Sequence, residues 1–239
     1  MKNVFESVYP FTTENISGYY PSLDLKDKDV LSVGSSGDQA FNAILCGAGK
    51  VTLMDISPHI YEFVKLKRDI ILDSTRKQTF KRVLKIDSVP TSKDLFSYKD
   101  LVKMNPYLKD DKSFNLLKDK LKDTDIDFII GDIFKFNDAV GDKKFDRMIF
   151  SNVLQYLDLY AKMQGYEGKT NEFLIKNFEE WDSHLKDEGI IQLLYLYSMR
   201  GQDRELYNFG NALQKKVLLC STFPSINEQD TSAIVYYRK

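Results

Sequence analysis

Cysteine and histidine are scarce in this chain, with two of each among 239 residues. Cys46 and Cys220 stand far apart and each sits in an apolar run, so they read as small buried hydrophobes rather than a disulfide framework; a reducing cytoplasm is the expected setting. His59 and His184 have no CxxC or HExxH spacing around them, which removes the sequence basis for a zinc or metal-hydrolase site. There is no GxSxG elbow and no GxxxxGK loop ending in Ser or Thr, so hydrolase and P-loop readings have no support. Long hydrophobic runs are missing too. The most apolar segment, Ile190 to Tyr197, is far shorter than the roughly 20 residues of a membrane-spanning helix and reads as a buried strand. The opening MKNVFESVYPF lacks the continuous apolar stretch of an export signal. Nor does one sign of charge dominate: 34 Lys and Arg face 35 Asp and Glu, which argues against a protein built mainly to grip nucleic acid. Hydrophobic residues make up 43% and aromatic ones 13%, with 16 Phe and 14 Tyr, enough to bury one core in a single domain spanning 1–239.

Short apolar runs alternate with longer helical patterns, the signature of βαβ units. The expected fold class is α/β: a Rossmann-like, doubly wound sheet of seven strands, mostly parallel, with an antiparallel strand near the C-terminus. Strands are expected at Val30–Val33, Val51–Asp55, Asp127–Asp132, Phe145–Ser151, Ile190–Tyr197, Lys216–Ser221 and Ala233–Tyr237. A helix over Asp38–Cys46 follows the turn Gly34–Gly37, and a second is capped by Ser57 with Pro58 at its first position, its inner face marked by Phe63, Leu66 and Ile70. Lys186 to Gly189 read as a turn, and Pro224 falls in the polar connection between the last two strands. Residues 73–126 carry 13 basic residues against 9 acidic ones, a local excess of four, and are too many for a plain crossover; they read as a mostly helical insertion between strands 2 and 3.

In a doubly wound sheet, ligands lie beyond the carboxyl ends of the strands. Four such places stand out. Gly34-Ser35-Ser36-Gly37-Asp38 lets the backbone approach a ligand and presents the free N–H groups of a helix start. Asp55 follows Gly34 by 21 residues, the distance at which a strand-2 carboxylate accepts both hydroxyls of a ribose. Gly131-Asp132 and Ser151-Asn152 end the next two strands. Together they suggest a ligand that contains a nucleoside.

On these residues the chain resembles the class I S-adenosylmethionine-dependent methyltransferases, over about Val30–Asp55 and Asp127–Tyr237. The resemblance implies that S-adenosylmethionine binds at Gly34, Ser35, Ser36, Gly37 and Asp38, with Asp55 and Ile56 at the ribose and Asp132 and Ile133 at the adenine. The stretch Phe145 to Leu157, with Ser151 and Asn152, looks like that family's fourth strand and the start of its following helix. Asp132, Asn152 and Tyr156 are the candidates for a catalytic role. The loop departs from the family pattern, which has an acid two residues before the first glycine and alternating glycines after it; Ser32, Ser36 and Asp38 stand there instead. A narrower likeness joins Ser35-Ser36-Gly37, Asp55-Ile56-Ser57-Pro58 and Leu66-Lys67 to the betaine-lipid synthases, which implies 3-amino-3-carboxypropyl transfer as an alternative to methyl transfer. A non-catalytic binding module is a third reading.

Each feature also has a plain structural reading. Gly34 to Gly37 serve equally as a strand-to-helix turn, Asp132 as a helix cap, and Asn152 and Gln155 as capping residues. Tyr9, Tyr19 and Tyr20, in an N-terminal segment over 1–25, either close over the cofactor as a lid or pack on the sheet edge. A proton acceptor, if the reaction needs one, is sought among Asp132, Asp38 and the tyrosines. The acceptor substrate is expected to be a small molecule or lipid-like compound. The basic segment 73–126 is either a solvated surface or a contact for an anionic substrate or lipid headgroups at a membrane surface.

Overall fold

The computed structural model describes residues 8–86, 97–200, 213, 218–226 and 229–239. Seven strands hydrogen-bond in the order β3-β2-β1-β4-β5-β7-β6, and the chain divides into two compact units, Met1–Gly131 and Asp132–Lys239.

In the first unit, β1 (Asp29–Val33) runs parallel to β2 (Lys50–Asp55), and β2 parallel to β3 (Ile126–Ile130). A short helix α1 (Ile16–Tyr19) precedes β1; α2 (Asp38–Leu45) links β1 to β2, and α3 (Pro58–Leu72) follows β2. Among the described residues the insertion carries α4 (Arg76–Leu84), α5 (Tyr98–Met104) and α6 (Asp111–Asp123). Their starts are written locally. Thr75 with Gln78 and Ser97 with Asp100 form reciprocal capping boxes, and Asp110 accepts from the Ser113 N–H. Residues 87–96 of the insertion lie outside the described residues.

Helix α3 buries Ile60, Phe63, Val64, Lys67, Ile70 and Ile71. This corrects the expected inner face, because Leu66 is exposed and Lys67 is fully enclosed in its place. The lysine is accommodated because all three of its N–H donors are taken: it donates to Pro10 O at 2.7 Å, Ser36 O at 3.0 Å and Asp38 Oδ1 at 2.6 Å. The Phe11 ring lies under the ammonium, 4.4 Å from nitrogen to centroid. Burial pulls the Lys67 ammonium below the ordinary lysine value, and Asp38 opposes that pull. Asp38 is equally enclosed; it also accepts from Tyr107 OH at 2.8 Å and from the Thr12 N–H at 2.7 Å. Asn42 on α2 reinforces the same junction, donating to Asn105 and accepting from the Tyr107 N–H.

Tyr19 and Tyr20 are buried and donate to the Gln39 side chain, with Glu14 completing the cluster. Both phenols thus lie against α2 through Gln39. Tyr9 is partly exposed.

In the second unit, β4 (Phe145–Ile149) runs parallel to β5 (Leu185–Leu196), while β7 (Thr231–Arg238) is antiparallel to both β5 and β6 (Leu218–Pro224). Helices α7 (Phe136–Val140), α8 (Leu157–Met163) and α9 (Thr170–Ser183) complete it. Phe134, Phe150, Phe173 and Trp181 form an aromatic cluster, and the Trp181 indole donates to Ile133 O at 2.8 Å. His184 is held between Lys143 O and Asn137, a structural position.

Three further expectations change here. Lys186 to Gly189 form no separate turn: they bulge within β5, between the pairs Phe145–Leu185 and Arg147–Ile190, where Gly189 has a Leu185 carbon only 2.5 Å from where a Cβ would sit. Pro224 ends β6 rather than lying in the connection, at an edge strand where its missing N–H is tolerated. Lys216 and Val217 of the expected strand lie outside the described residues. Both cysteines are exposed, not buried, since Cys46 closes the end of α2 and Cys220 sits on the outermost strand β6.

Removing one partner of a buried ion pair leaves the other charge uncompensated. Lys67→Met is therefore expected to cost about 3–5 kcal/mol of unfolding free energy. Asp38→Asn added to it should cost much less than it does alone. Urea unfolding of both single variants and the double variant measures this coupling, and strictly additive losses would show that the two groups do not act as a pair.

Candidate functional site

The β1–β2 ladder runs one step past the end of β1, because the Gly34 N–H donates to Met54 O at 2.9 Å. The chain then turns sharply, with Gly37 N–H donating back to Gly34 O at 2.9 Å, and both Ser35 (φ 42°) and Gly37 (φ 77°) lie in the left-handed region. Gly37 adopts this freely. Ser35 does so at a conformational cost that the surroundings must hold in place.

Gly34 has no room for a side chain. A Cβ there would stand 2.5 Å from Ile60 Cγ2 and 3.0 Å from both Cβ and Oδ2 of Asp55. The bare backbone of the turn is thus pressed against the acid at the end of β2. Asp55 Oδ2 accepts from the Ser35 N–H at 3.3 Å and Oδ1 from the Ser57 N–H at 3.0 Å, and the Ile56 N–H faces the same carboxylate, which with about four lone-pair positions keeps acceptor capacity for a further donor. Partial burial pushes the Asp55 carboxyl above the ordinary aspartate value, while the N–H groups of Ser57, Ser35 and Ile56 pull it back. The Asp55 carbonyl accepts from the Gly131 N–H at 2.9 Å, tying the loop after β3 to the same place. Ile56 lies beside it, 59% exposed.

The structure therefore brings together Gly34, Ser35, Asp55, Ile56 and Gly131. Ser36 and Asp38 turn the other way. Ser36 is buried and its carbonyl is held by Lys67, and the oxygens of Asp38 face protein donors, so that carboxylate is not placed to take a proton from an acceptor. Tyr19, Tyr20 and Tyr107 are poor proton acceptors as well, since burial raises each phenol well above its ordinary value and keeps it protonated.

In the second unit Asp132 caps the 3-10 turn Ile133–Lys135, accepting from the Phe134 N–H at 2.9 Å, and Ile133 is buried. Ser151 is the counterpart of Ser35: it follows β4 with φ 59°. The fully buried Gln192 clamps it, accepting from the Ser151 N–H at 2.7 Å and donating to its carbonyl at 3.1 Å. Asn152 donates to Tyr197 OH and Gln155 to Tyr195 O. Tyr156, in the 3-10 turn Val153–Tyr156, is 53% exposed.

Sequence reasoning missed Tyr107 and Gln192, and named Lys67 only within a family likeness without its part in holding these turns. One signal was present: Lys67 occupies the spacing of Ile60, Phe63, Val64, Ile70 and Ile71, one helical stripe. Among the described residues no group of three His, Cys, Asp or Glu is placed to hold a metal ion, and no helix is long and apolar enough to cross a membrane.

No protein-family model and no curated protein matches the chain. Among solved structures, it is similar to a methyltransferase from Pyrococcus furiosus at 12% identity, covering 92% of this chain and 79% of that one with a TM-score of 0.50. Weaker likenesses are to the N-methyltransferase NodS from Bradyrhizobium japonicum WM9 in complex with S-adenosyl-L-homocysteine (12% identity, 92% and 83% covered, TM-score 0.46) and to an rRNA methylase from Streptococcus thermophilus (9%, 90% and 89%, TM-score 0.44). The first likeness shows the fold alone: this chain folds as that methyltransferase from Pyrococcus furiosus does.

Proposed function

We propose that the chain is an S-adenosylmethionine-dependent methyltransferase whose cofactor sits on the turn after β1 and the acid after β2. The observation that carries this reading is Gly34 pressed bare against Asp55. Without a Cβ at Gly34 the backbone of the turn closes onto Asp55, whose carboxylate keeps acceptor capacity for a ligand beyond the three N–H groups it faces. Such an acid suits the paired hydroxyls of a ribose, and the left-handed Ser35 turn exposes backbone beside it.

When bound, S-adenosylmethionine supplies a methyl group already activated by its sulfonium. The chain's own residues then have to position and enclose rather than attack. In this reading Gly34 and Ser35 offer backbone to the cofactor's methionine part, Asp55 orients the ribose with Ile56 alongside, and Asp132 with Ile133 is assigned to the adenine by resemblance. Asn152 and Tyr156 are the proposed acceptor-side groups, and the acceptor is a small or lipid-like molecule.

Isothermal titration with S-adenosylmethionine and S-adenosylhomocysteine tests the reading. Micromolar binding is expected, and no binding of either by the folded protein would overturn it. Asp55→Ala should weaken binding by a few kcal/mol, since charge-assisted hydrogen bonds contribute about 1.5–3 kcal/mol each; an unchanged affinity in a folded variant removes the ribose assignment. The by-product separates the chemistries: S-adenosylhomocysteine marks methyl transfer, methylthioadenosine marks 3-amino-3-carboxypropyl transfer.

The pH dependence follows from the direction of the Asp55 shift. Its folded value is raised, so the neutral acid persists to a higher pH than in an ordinary aspartate. A protonated carboxyl gives up an acceptor position. Affinity should therefore fall on acidification, starting at a pH above the ordinary aspartate range, while Asp55 alone makes the free protein more stable as pH falls through that same value. Titrations from neutral to mildly acidic pH check the sign, with Asp55→Asn expected to flatten the curve.

Gly34→Ala is expected to lower cofactor affinity and melting temperature together, because the added methyl meets both Ile60 and Asp55. Differential scanning calorimetry with and without cofactor separates the two losses.

A further inference from the structure

A groove in the first unit runs between α3 and β3, reaching Asp125 and Ile126 at the start of β3. None of the residues lining it belongs to the turns described above. Its volume is about 190 Å³, below the roughly 300 Å³ at which drug-sized sites begin, so it suits a body of about one ring. Val64 and Ile126 give it apolar wall, and the Tyr61 and Phe128 rings meet beside it at 5.3 Å between centroids.

The polar lining is unbalanced. Arg68 and Lys65 supply two cations, Asp125 is the one acid, and no ion pair joins Asp125 to either cation among the described residues. Arg68 donates through Nη2 to Leu121 O at 2.6 Å, but its Nε is buried and has no partner. A guanidinium that has lost part of its water shell to a neutral carbonyl is incompletely compensated, and the group that completes it is an anion. Its planar fork matches carboxylate or phosphate oxygens, and the aromatic rings alongside suit a flat apolar body.

We propose that this groove is a second ligand site, taking a small ring-bearing anion whose carboxylate or phosphate pairs with Arg68 and whose ring lies against Tyr61 and Phe128. It is independent of the cofactor reading and stands or falls without it.

The test titrates the full chain with benzoate, phenyl phosphate and the neutral isostere benzamide, followed by backbone amide resonances. The expected result is saturable binding of at least one anion about tenfold or more tighter than benzamide, the ratio one charge-assisted hydrogen bond supplies. The shifts should fall at Val64 and Phe128 and leave Ser35 unmoved, and the better of the two anions identifies the headgroup. Arg68→Gln should remove the preference for the anion over benzamide. Equal affinities for all three compounds, no binding of either anion, or shifts confined to the Ser35 and Asp55 turns would overturn the proposal. The comparison of benzoate with benzamide is made on the unaltered protein, so it decides the matter even if Arg68→Gln does not fold.

Discussion

The first unit depends on one dry ion pair. Lys67 and Asp38 are both sealed from water, and a charge in that position is tolerated only when every donor and acceptor around it is matched. The junction so formed joins four stretches of chain: Pro10 with Thr12, Ser36 with Asp38, Lys67 on α3, and Tyr107. A buried pair of this kind contributes little net stability compared with apolar packing of the same volume. Its effect is discriminating. Any arrangement that misplaces one of those four stretches leaves a charged group unsatisfied, which penalises the alternatives far more than the pair favours the native state.

The turn after β1 inherits its shape from that arrangement. Ser35 sits in a region of backbone space that non-glycine residues rarely adopt, and such a residue persists when its neighbours are fixed on both sides. Gly34 is fixed by the β1–β2 ladder and Ser36 by Lys67. The second unit solves the same problem with a neutral group, Gln192, holding both backbone polar atoms of Ser151. In the second unit a buried polar side chain far away in sequence holds the unusual serine itself, whereas in the first it holds the residue after it, Ser36.

Much of this architecture was legible from local pattern. The strand runs at Val30, Val51, Phe145 and Ile190 and the helix start at Ser57-Pro58 rest on near-neighbour physics and are where expected, although the Ser57 side chain itself makes no capping bond. Asp55 was found by its distance from Gly34, because a strand, turn, helix and strand of ordinary length fix that spacing. What escaped notice was decided at long range. Leu66 looks like an inward residue and Lys67 like an outward one, and only the carbonyls of Pro10 and Ser36 with the Asp38 carboxylate reverse the two. The bulge at Lys186 to Gly189 carries turn residues and is read as a turn; the β4 partner that keeps it inside a strand is invisible locally. Cys220 failed for a similar reason, since an apolar run on an outermost strand has a neighbour on one side only, while Cys46 falls just past the last turn of α2, where its apolar run ends.

The span of the Lys67 junction also sets an order of events as the chain is made. The bond from Tyr107 to Asp38 joins residues 69 positions apart, and that from Lys67 to Pro10 spans 57. Contacts so distant close late and slow the search for the native state. Until Tyr107 is in place, Asp38 lacks one of the donors that match it. The insertion, whatever else it contacts, thus makes full pairing of the Asp38 carboxylate depend on a residue nearly half the chain's length from the N-terminus.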